Sequence, residues 1–327
     1  MQQLKTNKFK IFARRMFRIR ELGILIPFLL ICAITAIINP HFLYISNLIE
    51  IARSISFTVI MAVGMTFALI GGGIDLSIGS VLALSGIIVG MFLKSGTPIP
   101  LAIVLGMLGG VVFGFINGFV INTYKIPPMI ATLGMMYVVR GIVYVMTKGQ
   151  PIYPFPDAFN QIGQGSFLGL PYSVYIAIVV LFLADFVLKH TTFGRSVMAI
   201  GGNLETARIS GINVTVTTIL IYIICSVCAT VTGVLMTARL SSAQVNAGTD
   251  SALTVIAAVI IGGTSLFGGS GSIWGTLIGT GIMAVLSYAM ILIRISVYWQ
   301  EIVVGVVIIL AVSIDTYRRR RMSGSRG

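Results

Sequence analysis

The feature that most constrains this chain is a succession of continuous apolar runs, most of them about twenty residues long, the length needed to cross a bilayer as a helix. They fall at roughly 22–39, 55–70, 76–93, 99–121, 129–147, 172–188, 214–238, 252–263, 273–293 and 297–314. Only 9% of the 327 residues are charged and 57% are hydrophobic. A soluble domain carries about a quarter charged residues, so this chain could not clothe its own surface in water. Lipid leaves two backbone solutions, the helix and the closed barrel. A barrel would alternate apolar and polar residues in segments of about ten; these runs do not alternate. The fold class is therefore all-α, a polytopic transmembrane bundle of about ten spans (eight to ten). Segments 55–70 and 252–263 run into glycine-rich stretches and either can be a broken or re-entrant helix.

The net charge of +13 does not point to nucleic acid, because of where the cations sit. Lys5, Lys8, Lys10, Arg14, Arg15, Arg18 and Arg20 precede the first run, and Arg318, Arg319, Arg320, Arg321 and Arg326 follow the last. Basic clusters at the ends of spans mark the cytoplasmic side, so both termini are expected inside, consistent with an even span number. The expected organisation is a basic segment 1–21, one membrane domain 22–314 and a basic tail 315–327, with an inner loop at 190–213 and an outer Pro/aromatic loop at 148–171. Ile38-Asn39-Pro40-His41 lacks a small-residue cleavage pattern, so Leu22–Ile38 reads as an uncleaved first span.

Several features can carry chemistry. Three successive glycines, Gly71, Gly72 and Gly73, disfavour a continuous helix, and Asp75 and Ser77 are placed to cap the next one. This segment is either a kinked element beside a solute path or a tight loop at the cytoplasmic surface. Gly262–Ser272 is a second glycine-rich break, and the two together read either as an internal duplication or as coincidence in a chain with 37 glycines. Gly106, Gly110, Gly114 and Gly118 form a small-residue stripe for close helix packing. Asn117 beside it is either a path residue or an interhelical hydrogen bond. Arg140 lies deep in its span, where a charge is functional or snorkels outward. Gln244 and Asn246 add polar candidates for the path. Asp185 and Lys189, four apart, are expected to pair. Cys225 and Cys228 read as packing residues or a CxxC pair. No metal-ligand spacing, nucleotide-binding loop or nucleophile–base pair is present, so no metal, cofactor or catalytic residue is expected, and ATP hydrolysis would need another chain.

The loop from His190 to Asn213 is the most informative stretch. Asn203 can N-cap a short helix, Glu205 suits its first turn and Gly211 can end it. A free helix this short is unstable in water, so it either docks in a partner's groove or lies on the bilayer.

That loop, Gly194-Arg195, Ala199-Ile200-Gly201-Gly202-Asn203, Ala207-Arg208 and Ser210-Gly211-Ile212-Asn213, closely resembles the cytoplasmic loop of ribose-type ABC sugar permeases. Gly64-Met65-Thr66 with Gly72-Gly73-Ile74-Asp75-Leu76-Ser77 resembles the family's signature. So do Arg239–Gln244, Ile256–Val259 and Gly262–Gly269, so the likeness runs in order along nearly the whole chain. The resemblance implies a homodimer in the bacterial inner membrane, a cytoplasmic ATPase subunit and a periplasmic sugar-binding protein. It implies that Gly201–Gly211 is the coupling helix, with Gly194 and Arg195 beside it, and that the solute is a pentose or hexose. Related systems import the furanosyl signal autoinducer-2. An ion-coupled secondary transporter is the alternative from a different class, with Asp75 and Asp185, both read as near the surface, as its few candidate acids. One departure stands out: the family pattern places acids where this chain has Ala252 and Thr254.

Overall fold

A computed structural model describes residues 20–323; the basic run before Arg20 and the last four residues, Arg326 among them, lie outside them, as do the side chains of Arg318–Arg321. Within the described residues the ten apolar segments are ten helices, joined by smaller elements. In order these are α1 (Arg20–Ile38), a 3-10 turn (Pro40–Leu43), α2 (Ile45–Ile70), α3 (Ile78–Lys94), α4 (Ile99–Tyr124) and α5 (Pro128–Thr147). There follow α6 (Asp157–Gln164), a two-stranded hairpin β1 (Ser166–Phe167) and β2 (Leu170–Pro171), and α7 (Tyr172–His190). The chain ends with α8 (Thr192–Gly202), α9 (Leu204–Ile209), α10 (Val214–Leu240), α11 (Ser251–Ile261), α12 (Ile273–Leu292) and α13 (Val297–Ser323). Six of them, α2, α4, α5, α7, α10 and α12, are each long and apolar enough to cross a membrane. The chain is thus a helical, multi-pass membrane protein.

Two expectations need correction. The helix expected from residue 55 begins at Ile45, its first turn closed by the Asn47 and Leu48 N–H groups on the Tyr44 carbonyl. The 148–171 stretch is more than a surface loop: α6 folds over the bundle, burying Phe159 (0% exposed) and Phe155 (6%) in the core. Gly163 permits this, since a Cβ there would collide with the backbone of Leu235 and Arg239 at the end of α10. The short 252–263 run, already set apart as a segment that can be broken or re-entrant, is the eleven-residue α11, whose rise of about 16 Å is less than a core of roughly 30 Å. The non-helical 241–250 stretch leads into it.

The packing centre is α10, which lies against α4, α2 and α3. The glycine stripe makes this approach possible. A Cβ on Gly110 would strike Thr230, one on Gly114 the Tyr222 carbonyl and Ile223 Cα, and one on Gly118 Ile219 Cα, while Gly106 faces Val89 and the Ser85 carbonyl on α3. The opposite face of α4 presents Leu101, Val104, Leu108, Val112 and Phe115, all about half exposed. In water that stripe would be costly; in lipid it is the expected outer face. Cys225 and Cys228 are free, and Cys225 Sγ lies 3.0 Å from the Gly64 carbonyl with Gly64 Cα packed on Cys225, so they are packing residues. Asp185 and Lys189 do pair, at 2.8 Å. Gly114→Val is expected to push α4 from α10 and cost about 1–3 kcal/mol, the usual cost of overpacking. A lowered thermal midpoint in detergent checks this against Gly109→Ala, where the only neighbour is the flexible end of Ile88.

Candidate functional site

Both glycine breaks use one local device. At the end of α2, Gly72 has φ +81°, its N–H donates to the Leu69 carbonyl and the next N–H, of Gly73, donates to the Ala68 carbonyl. At the end of α11, Gly263 has φ +84°, its N–H donates to the Ile260 carbonyl and that of Thr264 to the Val259 carbonyl. This is the Schellman pattern twice, in which a left-handed glycine satisfies the last carbonyls of a helix. Ile70-Gly71-Gly72 and Ile261-Gly262-Gly263 therefore match in conformation as well as in letters.

After the first break the chain does not surface. Asp75 and Ser77 are both 0% exposed and Asn117 is 1% exposed. Asp75 Oδ1 accepts hydrogen bonds from the Ser77 N–H (2.9 Å) and hydroxyl (2.6 Å), and Asn117 Nδ2 donates to Ser77 Oγ (2.9 Å). Thr132 on α5 ties the same loop down: its hydroxyl accepts from the Leu76 N–H at 3.2 Å and is 3.1 Å from the Ile74 carbonyl. Two expectations change here. Ser77 makes no side-chain cap; Asp75 instead folds back on Ser77, the local bond that short polar side chains form readily. Asp75 is not near the surface but enclosed, and its Oδ2, with Asn117 Oδ1 and the Tyr222 hydroxyl, has no hydrogen-bond partner. A buried carboxylate without a cation costs free energy, so the two Ser77 bonds carry its stabilisation.

This buried loop lies between two cavities. One, of about 520 Å³, is lined by Gly71–Gly73, Asn122, Lys125, Pro128, Gly201–Leu204 and Tyr222 among others. The second, of about 780 Å³, is lined by Thr58, Tyr144, Gln244, Asn246, Thr249, Asp250 and Thr254 among others. They occupy opposite ends of the same helices. Pro128 and Tyr144 are sixteen residues apart on α5, about 24 Å of rise, and α10 contributes Val214–Tyr222 to the first and Met236 and Leu240 to the second. The segment between them is pinned where the backbone of Gly79, at the start of α3, touches Gly248.

The second cavity is a built structure. Arg140 neither snorkels outward nor pairs with an acid: Nη1 donates to the Val245 carbonyl at 2.6 Å and Nη2 to the Ala247 carbonyl at 3.0 Å. The 241–250 stretch is also bridged to the outer loop, Ile152 and Ala243 exchanging backbone bonds of 3.1 and 3.0 Å. Gln244 Nε2 reaches Ser242 Oγ at 2.8 Å. The path candidates thus divide into two groups, Gly72, Asp75, Ser77 and Asn117 around the buried loop, and Arg140, Gln244 and Asn246 around the second cavity.

The 190–213 loop is two helices. Thr191 caps α8, its Oγ1 accepting from Gly194 N at 3.1 Å; Asn203 caps α9, its Oδ1 accepting from Thr206 N at 2.9 Å. Gly201 and Gly202 form the last turn of α8, so the Gly201–Gly211 segment is not one helix but the end of α8 followed by α9. Gly194 lets that helix lie against the Val187 and Leu188 carbonyls, Arg195 points outward, and Gly211 ends α9 at φ +81°. On α9 only Ala207 faces inward; Leu204 is 48% and Ile209 80% exposed. The Glu205–Arg208 pair, at 3.9 Å and largely exposed, adds little.

Residues 47–312 match the family model described as the permease component of the branched-chain amino acid transport system. The chain is 41% identical to the ribose import permease protein RbsC of Haemophilus influenzae, over 89% of this chain and 92% of that one. It is 36% identical to the D-allose transport system permease protein AlsC of Escherichia coli, over 88% of each, and 33% identical to the L-arabinose ABC transporter permease protein AraH of Azospirillum brasilense, over 93% and 89%. The chain belongs to the ribose-type ABC sugar permease family. No solved structure matches it.

In this permease Thr254 lines the second cavity beside Asp250, with its hydroxyl on the Asp250 carbonyl at 3.1 Å, while Ala252 is buried. The acid near these two positions is therefore Asp250, at the cavity edge. Sequence reading missed Thr132, Tyr144 and Tyr222. A threonine in the first turns of an apolar helix was the available signal for Thr132; the two tyrosines sit in helices where aromatic residues pass as ordinary packing. Among the described residues no group of three or more His, Cys, Asp or Glu could hold a metal ion.

Proposed function

We propose that this chain is the membrane-spanning subunit of an ATP-driven importer that moves a monosaccharide, a pentose or hexose, across the bacterial inner membrane by alternating access. One observation carries the reading: two cavities at opposite ends of the same helices, separated by a buried polar loop at a helix break. Discontinuous helices whose ends meet inside the bundle are how transporters build a path between two sides. The second cavity, lined by Gln244, Asn246, Thr249, Ser251 and Thr254 with Tyr144 at one wall, offers hydroxyl and amide partners and a ring face, which suits a neutral polyhydroxylated ring. Named relatives carry ribose, allose and arabinose, and the same solute class fits here.

The first cavity faces the cytoplasm in this reading, with both termini and the 190–213 loop; the 148–171 loop faces the periplasm and receives a sugar-loaded binding protein. The exposed apolar side chains of α9 enter the groove of a separate ATPase, and a second copy of the chain completes the pathway. In liposomes, the permease with its ATPase and binding protein is expected to accumulate sugar only with ATP, and the permease alone to accumulate none. Uphill uptake by the permease alone, abolished by an uncoupler, would replace this reading with a secondary transporter.

A further inference from the structure

The ends of three elements meet with no side chain between them. Gly201, in the last turn of α8, lies so close to the end of α2 that a Cβ there would collide with the Ile70 carbonyl, and it would stand 2.7 Å from Gly269 N. Gly268, at φ +86°, is equally close to Gly201 and to Gly72: its Cβ would be 3.0 Å from the Cα of each. A Cβ on Gly269 would be 2.9 Å from Gly202 Cα. The Gly269 N–H donates to the Ile70 carbonyl at 2.8 Å, binding the second break directly to the first. Beside this junction Phe67 of α2 stacks on Phe193 of α8, ring centres 6.0 Å apart.

We propose that Gly201 is the positioning residue through which movement of the α8–α9 segment reaches both helix breaks at once. Backbone packed on backbone has no rotamers to absorb a displacement, so a shift of α8 moves the α2 end and the 262–271 loop together. The α2 end leads into the buried loop of Asp75 and Ser77, and also borders the first cavity. The two breaks, alike in their caps, thus share one input. Five glycines converge because any side chain would hold the three backbones apart. This rests on the proposed docking of an ATPase on α9.

The test is Gly201→Ala in the complete transporter, with Gly305→Ala as control, since Gly305 has open space around it. The expected result is that ATPase still co-purifies, because α9 is untouched. Sugar uptake falls roughly tenfold or more, within the usual range of coupling between sites, and ATP hydrolysis stops responding to sugar-loaded binding protein. Phe193→Ala loosens the junction without crowding it and gives a smaller loss of the same kind, so the inference stays testable if the alanine at 201 prevents membrane insertion. Normal uptake in Gly201→Ala or Phe193→Ala overturns the proposal. Loss of the ATPase from the Gly201→Ala complex also overturns it, making Gly201 a docking residue. Failure of the unmodified chain to hold an ATPase at all instead sinks the proposed function.

Discussion

Replacing residues 203–211 with a flexible glycine–serine linker of equal length is expected to abolish co-purification of the ATPase and all ATP-driven uptake, while the bundle stays folded. The reason is the division of labour within α9. Ala207 alone is buried against the permease, so little of the fold depends on this helix. Leu204 and Ile209 are 48% and 80% exposed, and burying the area each still exposes in a partner would contribute roughly half to four-fifths of the 1.5–3 kcal/mol of a whole side chain. Together they account for an affinity factor of about a hundredfold. The milder variant Leu204→Ser with Ile209→Ser should therefore weaken ATPase binding by about two orders of magnitude in a titration. Unchanged binding in the linker variant would show that the partner docks elsewhere.

Arg140→Met is expected to lower uptake by more than about tenfold without removing the protein from the membrane. Methionine fits the apolar helix but donates nothing. The Val245 and Ala247 carbonyls, now held at 2.6 and 3.0 Å and partly buried, would each lose a charged donor, and a hydrogen bond to a charged group contributes about 1.5–3 kcal/mol. The 241–250 stretch has few other anchors, the Ile152–Ala243 bridge and the Gly79–Gly248 contact among them. Its rearrangement would close or reshape the cavity lined by Gln244 and Asn246. Arg140→Lys should recover part of the loss, since an ammonium can reach one carbonyl but lacks the planar fork that reaches two. Wild-type uptake by Arg140→Met would leave Arg140 as a packing residue.

Much of the fold was legible because lipid imposes a harsh rule. Every backbone group must be satisfied within the segment, so apolar runs of the right length become helices, and the ten runs coincide with ten helices among the described residues. The Asn203 cap and the Gly211 terminus were readable because such signals act within a few residues. Boundaries failed where the deciding contact was distant. Ile45–Ser54 carries Asn47, Glu50 and Arg53, which sequence reading leaves outside the span. The structure holds Glu50 2.8 Å from Arg239 on α10 and Asn47 2.8 Å from the Tyr288 hydroxyl on α12. Likewise Phe155 and Phe159 in a Pro-rich loop look like surface aromatics until Gly163 lets α6 sit on α10.

By itself, then, the sequence determined the helical membrane class, the places where helices must break and the capped short helix of the 190–213 loop, since hydrophobic length, glycine runs and caps are local physics. The tertiary structure alone decided what those breaks do. Asp75 is enclosed because Asn117 and Thr132, on two other helices, close over its loop. Arg140 faces two carbonyls more than a hundred residues away in sequence. Gly72, Gly201 and Gly268 meet at one point. Such meetings depend on how helices cross in space, and neither composition nor periodicity carries that information.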